Sequence, residues 1–111
     1  MNKIIKLSQV LSQEKNFKGV SFKTLATGER IMLTIMYYQK GTKVSPHSHP
    51  HEQVGFVLNG KLKMNLNNEA FLLEKGDSYF IPADGEHGFE ALEKSEVIDT
   101  FSPPREDYKI K

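Results

Sequence analysis

Residues 47–53 read His-Ser-His-Pro-His-Glu-Gln, which puts three of the chain's four histidines within seven positions, beside an acid and an amide. Imidazole nitrogens and an amide oxygen can bind a transition metal. An HxH read alone is more often a hydrophilic turn, so both readings stand at this point. His47, His49 and Gln53 share parity, and an extended chain aims all three at one face. Pro50 interrupts that strand, so Gln53 enters from the next one after a tight turn. The fourth histidine, His87, stands in "IPADGEHGF", just after another strand and a turn. His51 is expected on the turn, pointing outward, with Glu52 facing away from the cluster.

A second group lies near the C-terminus, in "VIDTFSPPREDY" at 97–108. Period two places Asp99 and Phe101 on one face of the last strand, and Arg105 follows two prolines. The plain alternative makes Phe101 a core residue and Asp99 and Arg105 a surface ion pair. An acid two residues before an aromatic is an odd way to build a core, because a buried carboxylate needs a partner or a function.

These residues need a scaffold, and turn residues recur along the chain: Gly28, Gly41, Asn59-Gly60, Asn67-Asn68, Gly76-Asp77 and Asp84-Gly85. Between them run "RIMLTIMYY", "VGFVL", "LKMNL", "AFLL", "SYFIP" and "EVIDTF", rich in β-branched and aromatic residues. Many short strands with regular turns predict an all-β sandwich or barrel. Leu62, Met64 and Leu66 alternate onto one face. Only "SQVLSQEK" could form a helical turn.

At 111 residues the chain suits one domain, 1–111, with a single core. A formal net charge of +1 and the lack of a basic stripe argue against a nucleic-acid partner. The absence of cysteine excludes disulfides and thiolate ligands, so any metal is held by nitrogen and oxygen. "MNKIIKLSQ" is broken by Lys6 and lacks a signal-peptide core. No stretch is long and apolar enough to span a bilayer, so a cytoplasmic protein with no membrane partner is expected.

Taken together, two stretches resemble the paired motifs of the cupins. "GTKVSPHSHPHEQVGFVLNG" (41–60) has glycine, five residues, HxH, three residues, a substituted acid, six residues and glycine. "GDSYFIPADGEHGFEA" (76–91) has glycine, five residues, proline, then histidine five positions on. The resemblance covers about 31–107 and leaves 1–27 as an extension packing on the barrel or on a partner. It implies a small antiparallel β-barrel, the jelly roll or double-stranded β-helix, holding a metal through His47, His49, Gln53 and His87. That metal would be one divalent ion: zinc, nickel, iron, manganese or copper. Three positions depart from the usual pattern, with Gln53 for glutamate, Asp84 for glycine and Ala91 for asparagine. A neutral amide leaves the ion's charge uncancelled, which suits an anionic substrate.

"HSHPHEQ" together with "D-x-F-S-P-P-R-E-D" is similar to the pectin-degradation cupins, which convert unsaturated uronates to linear keto sugars. By position, that resemblance gives Asp99, Phe101 and Arg105 active-site roles on a small anionic sugar. Asp99 would move a proton, Arg105 would hold the carboxylate, and Phe101 would pack on the sugar. An oxygen-using cupin and a non-enzymatic sugar-binding cupin are the competing functions. Exposed edge strands, with the apolar "MNKIIKLSQV" available to cover one, predict a homodimer.

Overall fold

Alternating burial organises much of the chain, because the three eight-residue strands, at 20–27, 52–59 and 95–102, hide one face more than the other. The computed structural model describes residues 3–15 and 17–109. In chain order the strands are β1 (Gln13–Glu14), β2 (Val20–Thr27), β3 (Met32–Tyr38), β4 (Lys43–His47) and β5 (Glu52–Asn59). They continue as β6 (Lys61–Leu66), β7 (Glu69–Glu74), β8 (Ser78–Ile81), β9 (His87–Ala91) and β10 (Ser95–Ser102). Short 3-10 turns at Leu7–Gln9 and Glu106–Tyr108 flank them, the first overlapping the expected helical turn.

All pairings are antiparallel. A six-stranded sheet runs β1-β2-β3-β10-β5-β8, and a four-stranded sheet runs β4-β9-β6-β7. Their inner faces share one core that includes Phe22, Met36, Val57, Leu62, Met64, Phe89 and Val97. This is the expected all-β jelly-roll barrel. Each of the six runs predicted from sequence contains a strand, and Leu62 and Met64 are buried with Leu66 packed against the core. Position 1–27 contributes β1 and all of β2 to the larger sheet.

Local chemistry explains the joins. Asn67 and Asn68, at φ 48° and 67°, close the two-residue β6–β7 hairpin. Such a turn needs left-handed backbone at both positions, which asparagine tolerates well. Pro46 lies on β4, which pairs only with β9 and is a sheet edge, where a missing N–H is tolerated.

Across the larger sheet the inner rows differ in character. One row aligns the apolar Val57, Val97 and Met36. The next aligns Tyr79, Gly55, Asp99, Thr34 and Thr24, a polar stripe inside an apolar barrel. The third aligns Ile81, Gln53, Phe101 and Met32. On the outer face Val54, Phe56 and Phe80 are exposed at 51%, 43% and 52%, an apolar patch at the β5–β8 edge. Of the N-terminal stretch expected to cover a partner, residues 1 and 2 lie outside the described residues, while Ile4, Leu7 and Leu11 are exposed. Among the described residues, no helix is long and apolar enough to cross a membrane.

Candidate metal centre and its surroundings

His47 ends β4 and His87 opens β9, and the two are register partners across that ladder. His49 lies in the loop after β4, and Gln53 is the second residue of β5, its side chain turned inward. The ligand-capable nitrogens of His47, His49 and His87 all lie within 4.8 Å of one another. Gln53 Oε1 is 3.1 Å from His49 Nε2. Sequence parity alone had aligned three of these four residues, and the barrel adds His87. A backbone link joins the His49 loop to the loop that leads into His87: Asp84 N–H donates to His49 O at 2.8 Å. Asp84 sits at φ 62°, the left-handed backbone where glycine is usual and aspartate is tolerated.

Each of the three imidazoles has its Nδ1 against a backbone carbonyl: His47 with Ser45 at 2.9 Å, His49 with His51 at 3.0 Å, and His87 with Gly85 at 2.8 Å. A carbonyl only accepts, so each Nδ1 carries the hydrogen and each Nε2 keeps its lone pair. Burial pushes all three pKa values below the ordinary 6.5, that of His87 down to about 4. Neutral rings with free Nε2 lone pairs are what a divalent metal needs, with the carbonyls fixing ring orientation. The donor set therefore fits a metal ion. His51 supports the site through its backbone carbonyl, and its neighbour Glu52 is exposed, as expected.

Behind Gln53 lies Asp99, 1% exposed. Tyr79 donates its hydroxyl to Asp99 Oδ1 at 2.5 Å, and Gln53 lies near enough to act on the same carboxylate. Burial raises the Asp99 pKa, while Tyr79 and then Gln53 pull against the rise. The Tyr79–Asp99 contact passes over Gly55, where a Cβ would lie 2.3 Å from the tyrosine oxygen and 2.6 Å from Asp99 Oδ1. Only glycine leaves that space. Asp99 and Arg105 do not form the surface pair considered from sequence. Arg105 instead holds Asp107 through Nε at 3.2 Å and Nη2 at 2.9 Å. Phe101 is buried edge-on to His49, with ring centroids 5.9 Å apart, and lies 5.1 Å from the Arg105 guanidinium.

The interior cavity reaches His47, Gln53, His87, Asp99, Phe101 and Arg105. Its free volume is about 20 Å³, room for an ion or a water. A larger groove of about 580 Å³ runs outside the barrel past Tyr37, Lys94 and Glu96. No histidine lines it, so the chemistry assigns the site to the small cavity. Three residues of the site escaped sequence reasoning: Tyr79, Tyr108 and Lys15. The parity of "SYFIP" places Tyr79 on the same face as Ile81, a signal for the first. No sequence pattern marks the other two.

A family model described as Cupin domain matches residues 34–101, and the chain belongs to the cupin family. Pectin degradation protein KdgF of Dickeya dadantii is 33% identical over 92 residues, covering 81% of this chain and 84% of that protein. The structure of KdgF from Halomonas sp. superimposes with a TM-score of 0.90 at 31% identity, covering 98% of this chain and 100% of that one. An RmlC-like cupin from Shewanella frigidimarina gives a TM-score of 0.92 at 28% identity, covering 98% and 97%. The likeness to the pectin-degradation cupins, read first from two motifs and a tail, thus extends to most of the chain.

Proposed function

We propose that the chain is a cytoplasmic enzyme that converts unsaturated uronates, the small anionic sugars left by pectin and alginate lyases, into linear keto sugars. The observation carrying this reading is a buried carboxylate, Asp99, held by Tyr79 beside Gln53 and a cluster of three neutral histidines. Likeness to a pectin degradation protein over most of the chain supports it.

Such a substrate is a cyclic enol ether bearing a carboxylate and a hemiacetal. Its conversion is an isomerisation: the hemiacetal hydroxyl gives up a proton, the ring C–O bond breaks, and the enol carbon takes a proton. No oxidant or reductant enters. Asp99 holds and moves that proton at its carboxyl oxygens. Burial favours the acid, and Tyr79 and then Gln53 favour the carboxylate, so both forms are within reach. Arg105, oriented by Asp107, binds the substrate carboxylate with its remaining N–H groups. Phe101 packs on the sugar face and excludes water. His47, His49, Gln53 and His87 hold one divalent ion, zinc, nickel, iron, manganese or copper, which when bound supplies Lewis acidity and positive charge. The free interior takes only an ion or water, so a sugar enters as side chains at the mouth give way.

The test mixes metal-loaded protein with unsaturated galacturonate and follows the conjugated-acid ultraviolet band alongside dissolved oxygen. Loss of the band without oxygen uptake is expected. A persistent band overturns the reading, and oxygen uptake moves the chain to the oxygen-using cupins.

A further inference from the structure

Lys15 and Tyr108 stand at the site beside Arg105, and the proposed reaction uses neither. Lys15, just after β1, lines the same cavity as His47, His87, Asp99 and Arg105. Its ammonium lies 4.8 Å from the centre of the Tyr108 ring, and the Arg105 guanidinium lies 4.0 Å from that ring. Two cations therefore share one aromatic surface. Tyr108 is 3% exposed, and its hydroxyl has no hydrogen-bond partner. Among the described residues Lys15 enters no ion pair.

The fold holds these groups in place. Lys15 N–H donates to Val20 O at 3.2 Å, and the Tyr108 carbonyl accepts from the Thr24 hydroxyl, so β2 fastens both ends of the chain to the mouth. We infer that Lys15, Arg105 and the Tyr108 hydroxyl form an anion subsite at the barrel mouth, in which Lys15 is a specificity-determining residue that selects ligands bearing a carboxylate. The choice of a sugar acid as ligand rests on the function proposed above.

The energetics favour an anion there. Two cations drawn from water and facing each other repel, and an unpaired buried hydroxyl loses its solvation. Burial, then Arg105, holds the Lys15 pKa down to about 8. A carboxylate bound between the two cations would relieve their repulsion, and its second oxygen would be an acceptor for the unpaired phenol. Asp107 leaves the seat open, because it takes only two of the five guanidinium N–H groups.

Calorimetry on the metal-loaded full chain tests this with D-galacturonate, and with D-galactose as the uncharged control. Lys15→Met should weaken galacturonate binding by about tenfold, the scale of one hydrogen bond to a charged group. Galactose affinity, metal content and melting temperature should stay at their wild-type values. Lys15→Arg should restore most of the affinity, and Tyr108→Phe, which removes only the hydroxyl, should cost a smaller part of it. Galacturonate affinity within about twofold of wild type in Lys15→Met overturns the subsite. So does an equal loss for galactose, or no galacturonate binding to the wild type. Galacturonate has no double bond to ketonise, so this result is independent of turnover. Lys15-dependent binding in a protein inert to unsaturated uronates would keep the subsite and remove the proposed reaction.

Discussion

Tyr79 donates its hydroxyl to Asp99 across 2.5 Å, through the gap left by Gly55 in the strand between them. Asp99 thereby acquires a fixed donor, with Gln53 as its neighbour in the next inner row. This arrangement gives position 53 a reason to be an amide. A glutamine can turn its nitrogen toward Asp99 and leave its oxygen beside the His49 Nε2 lone pair, where both could donate to one ion, whereas a glutamate would set two carboxylates against each other.

Removing Asp99's ability to carry a proton should therefore separate chemistry from binding. Asp99→Asn is expected to lower turnover by about a hundred- to ten-thousand-fold. The new amide keeps an oxygen for Tyr79 but turns N–H groups toward Gln53, so metal content is measured beside the rates. Wild-type turnover with full metal would assign the proton to another carrier.

Gln53→Glu should retain metal and bind galacturonate more weakly, because an added negative charge faces the ligand's carboxylate. Calorimetry on both proteins reads the difference. Unchanged affinity would show that charge does not explain the amide.

His47→Ala and His87→Ala should each drop bound metal well below one equivalent by elemental analysis. Both should also lose the stabilisation that metal gives wild type, about 2.7 kcal/mol at a hundredfold excess over Kd. Full occupancy in both variants would place the ion elsewhere.

The histidines also set a pH dependence in the metal-free protein. Burial lowers the pKa of His47, His49 and His87, the last to about 4 against an ordinary 6.5. Below about pH 6.5 the unfolded chain takes up protons that the native imidazoles refuse. Stability is then complete above about pH 6.5 and falls as the pH drops toward about 4. Urea midpoints across this range should decline, and should decline less in His87→Gln. A flat profile would contradict the burial argument.

Val54, Phe56 and Phe80 expose apolar surface at the β5–β8 edge, beside which Ile98 and the buried Ile35 continue the outer row. A homodimer covering this face is expected to scatter light as twice the chain mass at micromolar concentration. Phe80→Lys should shift it toward monomer. A monomeric wild type would leave the patch without that explanation.

The sequence shows some of this site plainly and hides the rest. His47, His49 and Gln53 could be aligned because strand parity is a local property. His87 came from the second motif, and the barrel brought it to the first. β2 was missed, since Thr24 interrupts its apolar alternation on the inner face, and Pro46 obscured β4. Tyr79 matters only because Gly55, on another strand, leaves it room. Lys15 and Tyr108 meet because opposite ends of the chain are both fastened to β2, a long-range closure with no periodic signature. Motifs record what lies along one strand, and these contacts lie across several.

The hydrogen bond from Asp84 to the His49 carbonyl has a consequence for how an ion would load. The loop bearing His49 and the one leading into His87 are already joined through main chain, and the rings are already turned by their own carbonyls. Loading would then resemble docking onto a receptacle whose rings are already oriented. Such a receptacle would discriminate weakly among ions of similar size and preference, so its occupant would follow supply. Growth medium and metal homeostasis would then decide which ion the purified protein carries.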